Sequence, residues 1–133
     1  MNPRYQSVAA RAGHRCEYCR APEVIFNFPF EVEHIVPPNR GGDDAEDYLA
    51  LACRSCNLFK SDAIDAIDPD SGEWTRLFNP RRDDWETHFR LDIEHGAIDG
   101  LTVVGRATVH YLHLNAKTQR SARRQWMRIG LIP

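Results

Sequence analysis

The sequence predicts an α+β fold: a small zinc-stapled core followed by a C-terminal strand–helix extension. Three observations carry that expectation. Two Cys-x-x-Cys pairs, Cys16/Cys19 and Cys53/Cys56, can each grip one ion from a tight turn, and together they complete a tetrahedral four-thiolate zinc site. The 33 residues between Cys19 and Cys53 then form a loop closed by metal. Short apolar runs of strand and helix period follow one another along the chain without internal repeats. A chain of 133 residues buries roughly two-thirds of its unfolded surface. A structural zinc, contributing on the order of 10 kcal/mol to folding, therefore weighs heavily in its stability.

Taken in order, residues 3–13 read as a short helix leading into the first cysteine pair. Residues 24–36, rich in β-branched and aromatic side chains, read as extended structure broken at Pro29. Pro37-Pro38-Asn39-Arg40-Gly41-Gly42-Asp43-Asp44 is a loop by composition. Residues 45–52 read as helical, and a helix from Asn57 to Ile67 is stopped by Asp68-Pro69-Asp70 and Gly72. An aromatic stretch (Trp74, Phe78, Trp85, Phe89) comes next, with the tryptophans Trp74, Trp85 and Trp126 assigned to core or interface. Strands are expected at 87–93 and 98–103, joined at Gly96, then a helix at 106–114. Asn115 is placed to cap a final basic helix ending at Gly130. The division follows: residues 1–67 form the core, and residues 68–133 form an extension of two short strands and a basic helical end, packed on it.

Composition narrows the class. Hydrophobic content of 42% and charged content of 27% are ordinary for a soluble globular protein. No apolar run is long enough to span a membrane, and the N-terminus lacks a secretory apolar stretch. All four cysteines sit in paired spacing, which points to metal thiolates in a reducing cytoplasm rather than to disulfides. The net charge of -2 hides an asymmetry: every acidic residue precedes residue 100, while residues 100–133 carry Arg106, Lys117, Arg120, Arg123, Arg124 and Arg128. That basic end faces either a polyanion or the acidic half of the same protein. Arg81-Arg82 and the Arg120/Arg123/Arg124/Arg128 stripe are candidate phosphate contacts.

Between the cysteine pairs lies Glu33-His34-Ile35-Val36-Pro37, and Asn57 directly follows the last cysteine. Hydrolysing a phosphodiester requires a base for water and a divalent cation for the charge that builds on phosphate. His34 suits the first task at neutral pH. Glu33 and Asn57 offer the oxygens that a hard cation such as Mg2+ prefers. Adjacent strand residues point to opposite faces, so Glu33 and His34 converge only where the strand bends or ends.

These motifs, with Gly41-Gly42 and the run Cys53-Arg54-Ser55-Cys56-Asn57-Leu58-Phe59-Lys60, resemble the HNH endonucleases. The resemblance covers residues 16 to about 62. It implies a treble-clef-like ββα-metal core with a four-cysteine zinc, His34 as general base, and Glu33 and Asn57 as ligands of a catalytic divalent metal. Lys60, one turn past Asn57, is then placed to reach a phosphate. The chain departs from the family pattern in carrying Glu33 where Asp is frequent and Tyr48 where the middle asparagine stands. The implied function is metal-dependent hydrolysis of DNA; the alternatives are a zinc-dependent nucleic-acid-binding module that does not cleave and a structural zinc protein.

Overall fold

In the computed structural model, which describes residues 2–132, α1 (Tyr5–Arg11) buries Val8 and Ala9 before the chain enters the first cysteine turn. That turn closes through Arg20 N–H donating to the Cys16 carbonyl and Cys16 N–H donating to the Ala21 carbonyl, each 2.9 Å. The extended segment expected over 24–36 is much shorter than its composition suggested. Residues 23–25 make one 3-10 turn, residues 24–29 lie exposed, and only β1 (Glu31–His34) is strand. Pro29, and the absence of a partner for the preceding residues, limits pairing to the last four.

The partner is β2 (Leu49–Ala52), antiparallel to β1 with Glu31 opposite Ala52 and His34 opposite Leu49. A helix had been expected over 45–52. A run of four apolar residues carries no period that separates a buried strand from a buried helix, and all four are buried here. The hairpin loop is braced by backbone. Gly42 N–H donates to the Pro37 carbonyl at 3.0 Å, and a Cβ at Gly42 would stand 1.7 Å from the Val36 carbonyl oxygen, so only glycine fits.

Cys53 caps α2 (Arg54–Lys60), its sulfur accepting from Cys56 N–H. The helix stops at Ser61, which adopts φ +49°, so the continuation expected to Ile67 does not form. Instead β3 (Asp65–Ile67) and β4 (Trp74–Arg76) make a second hairpin around Asp68 and Gly72. After α3 (Trp85–His88), a turn of helix where the expected strand was to begin, the rest follows the predicted order: β5 (Phe89–Asp92) paired with β6 (Ala97–Gly100), α4 (Val103–Tyr111) and α5 (Lys117–Arg128). Asn115 does not cap α5. Its amide donates to the Ile98 carbonyl and accepts from Ile98 N–H, both at 2.8 Å, tying the helix connection to β6.

One apolar cluster runs through both ends of the chain. Val8, the four cysteines and β2 pack with Phe78, Trp85, Phe89, Ile98, Leu112 and Leu114. Trp85 donates its indole N–H to the Tyr18 carbonyl at 2.9 Å and packs tilted against Phe89. Trp74, expected inside, is exposed on β4.

Candidate active site and zinc centre

The four cysteine sulfurs lie within 4.8 Å of one another and all four side chains are buried. Cys19 and Cys53 Sγ are 3.7 Å apart. The edge of a tetrahedron with 2.3 Å metal–sulfur bonds is about 3.8 Å, so the cluster has the dimensions of a zinc tetrathiolate. Backbone amides already face it: Cys19 N–H points at Cys16 Sγ and Cys56 N–H at Cys53 Sγ, both at 3.5 Å. As free thiols the four cannot ionise together. S–H donation, from Cys16 first, favours the Cys53 thiolate, whereas contact with Cys16 is the largest influence holding Cys19 and Cys56 well above the usual thiol range. A divalent cation resolves that conflict by making all four sulfurs thiolate ligands.

α2 crosses the β1–β2 hairpin, and alternation along β1 points Glu31 and Glu33 at it. The helix start lies over Glu31 and its end over Glu33, because Glu31 pairs with Ala52, next to the Cys53 cap. Asn57 donates its amide to Glu31 Oε2, and Glu31 Oε1 takes Arg54 at 2.7 Å. Glu31 and Asn57 together line an open recess of about 550 Å3 with Tyr5 and Phe30. Glu33 is placed differently. Its side chain is 3% exposed, Tyr18 donates its hydroxyl to one oxygen, and Lys60 Nζ stands 3.2 Å from the other. Burial pushes the Glu33 carboxyl up, against the opposing pull of Lys60 and Tyr18.

His34 takes the other face of β1, at the strand end and one-third exposed. Its Nε2 is 2.5 Å from Asp44 Oδ1, a residue of the hairpin loop. A carboxylate there accepts from Nε2–H, which fixes the tautomer and leaves the Nδ1 lone pair free to accept a proton. A hairpin whose strand end carries an oriented imidazole, followed by a helix that a four-sulfur cluster anchors, is now in view. Residues 16–63 match the HNH endonuclease family model. Neither the search of curated proteins nor that of solved structures returned a match.

Within the HNH segment, the structure brings Asn57 together with Glu31, Glu33 with Lys60, and His34 with Asp44. Glu33 and Asn57 are not joined as one oxygen pair, since both Glu33 oxygens are taken from inside the core. Lys60, read as a phosphate contact, is 1% exposed and also donates to the His34 and Ile35 carbonyls, so its charge is spent within the protein. Arg123 is corrected likewise: it is buried and donates to the Gly96 and Leu114 carbonyls at 2.5 Å. Arg120 and Arg124 are half-exposed and lean on the Asn115 and His95 carbonyls, and Arg81 is held by Glu17. Exposed cations on this side of the fold are Arg40 beside the His34 loop, Arg54, Lys117 and Arg128.

Sequence reasoning missed Glu31, Asp44 and Tyr18. Glu31 was legible in principle, two residues before Glu33 and so on the same strand face. Asp44 was not, because its approach to His34 depends on how the loop between the strands folds back. Tyr48 makes no side-chain hydrogen bond among the described residues. Its backbone carbonyl accepts from Ile35 N–H at 2.9 Å, closing the base of the loop.

Proposed function

We propose that the protein is a phosphodiester hydrolase of HNH type acting on DNA. The observation that carries the reading is the His34–Asp44 pair, an exposed and oriented imidazole inside the HNH match. His34 Nδ1 takes the proton from an attacking water, and Asp44 holds the ring so that this nitrogen faces outward. Asn57 and Glu31 present polar oxygens beside the hairpin, and the exposed Arg40 supplies positive charge for the phosphate backbone. A divalent cation of the kind this family uses would offset charge building on the phosphate. The expected ligand pair Glu33/Asn57 does not fit that role as arranged, because Tyr18 and Lys60 take both Glu33 oxygens inside the core. The buried cysteine cluster supports zinc as the structural metal, and the order hairpin, cysteine turn, helix supports the ββα-metal reading.

Incubation with supercoiled plasmid and Mg2+ or Mn2+ tests the proposal: the protein should nick or linearise it. His34→Ala should slow cleavage by about 10²–10⁴-fold with zinc content and circular dichroism unchanged. Equal cutting by that variant removes His34 as the base. Retardation of DNA without cleavage under any divalent metal selects the binding-module alternative.

A further inference from the structure

The buried guanidinium of Arg123 has a role that neither its sequence position nor the family match assigns. Its fork is fixed, Nη1 to the Gly96 carbonyl and Nη2 to the Leu114 carbonyl, and its side is sealed from solvent at 1% exposure. Its third edge, Nε–H, is buried and has no hydrogen-bond partner among the described residues. Geometry puts α5 beside the sulfur cluster: Gln119, one turn before Arg123 on the same helix face, donates to Ser55 of the second cysteine turn at 3.0 Å, and Ala122 and Trp126 line the same recess as Cys53. Burial works against the Arg123 charge, and all four cysteines work in its favour.

A zinc tetrathiolate carries two net negative charges, and burying a dianion is costly unless donors and opposite charge meet it. The two backbone N–H groups at Cys16 and Cys53 answer part of that demand and bring no formal charge. We infer that Arg123 is the internal counter-ion of the zinc centre, so that α5, from the far end of the chain, completes a metal site whose ligands all lie before residue 57. Arginine is suited to this: the guanidinium stays charged when buried, and two carbonyls can lock its planar fork without neutralising the charge. Gly96 belongs to the same arrangement. It adopts φ +71°, and a Cβ there would lie 2.5 Å from the Arg120 carbonyl oxygen, so the turn that offers its carbonyl to Arg123 has room for glycine alone.

The test is zinc retention in the full chain. Arg123→Gln, which keeps hydrogen-bonding capacity and loses the charge, should release zinc to a chelating dye with an affinity lower by about 10–100-fold. It should also shift the sulfur-to-metal charge-transfer band of the Co2+-substituted protein. Arg123→Lys, which keeps the charge and loses the fork, should stay within a few-fold of wild type and leave the band in place. If Gln and Lys variants lose zinc equally, Arg123 is an anchor for α5 only and the inference fails. If the Gln variant holds zinc as wild type does, the inference fails too. Should the Gln variant not fold, the Lys variant decides: zinc held at near wild-type affinity with an unmoved band upholds the counter-ion, and zinc loss overturns it.

Discussion

At the scale of single residues, the Glu33–Lys60 pair shows what a sealed charge does in a small core. Two ions that deep are stabilising only while they have each other, together with the Tyr18 hydroxyl and two carbonyls that complete the arrangement. Glu33→Gln should lower unfolding stability by about 3–5 kcal/mol in urea, because Lys60 is left as a buried charge without a partner. The double change Glu33→Gln/Lys60→Met should recover most of that loss. A double variant as unstable as the single one would mean that Tyr18 and the backbone, not the charge balance, set the cost. His34 and Asp44 are the opposite kind of pair, meeting at the surface of the hairpin and not inside the core.

At the scale of elements, α2 depends on the cysteine cluster more than on its own sequence. Seven residues are too few for a helix to persist alone in water. Its cap, Cys53, and its first turn, through Cys56, both belong to that four-cysteine cluster. Chelation of zinc should therefore abolish amide-exchange protection in α2 and in the β1–β2 hairpin together; protection that survives metal removal would disprove the dependence. This element also shows where the sequence was legible. Paired cysteine spacing placed both cysteine turns, whereas the helix begins at Arg54 and not at Asn57 as expected, since Cys53 itself is the cap. The strand character of Leu49-Ala50-Leu51-Ala52 was hidden, since an all-apolar run has no alternation when both faces are covered. The basic stripe on α5 was read as a surface because 3.6-residue spacing reports which residues share a face. It does not report whether that face turns outward. In this protein it turns inward at Arg123.

At the scale of the whole molecule, polar as well as apolar contacts bind segments far apart in the chain. Asp68, fully buried at the β3–β4 turn, receives Arg106 of α4 through Nε at 3.1 Å and Nη2 at 2.9 Å, with Ser71 at 2.7 Å. Arg106 chiefly holds the Asp68 carboxyl well below the usual carboxylate range, burial opposing it. A carboxyl depressed in the folded state stabilises above its unfolded value, about 4, and that contribution is lost as pH falls through the folded one. Asp68→Asn should thus be less stable than wild type at neutral pH, and the gap between their urea midpoints should close on acidification. A gap independent of pH would show that charge is not what Asp68 contributes. No helix among the described residues is long and apolar enough to cross a membrane. Among the described residues, the C-terminal order strand, strand, helix, helix was foreseen; the short α3 and the β3–β4 hairpin were not, the latter because a positive φ at Ser61 has no signature in serine itself.

The compression of so many duties into α2 has a consequence for how chain length can vary. Cys53, Arg54, Cys56, Asn57 and Lys60 fall within two helical turns, each aimed by its angle around the axis. One added or deleted residue there would rotate everything beyond it by about 100°, swinging Lys60 away from Glu33 in a single step. The polar turn at residues 69–73 carries no such angular code, so inserted epitope tags or reporter peptides should be accommodated there and rejected by the helix.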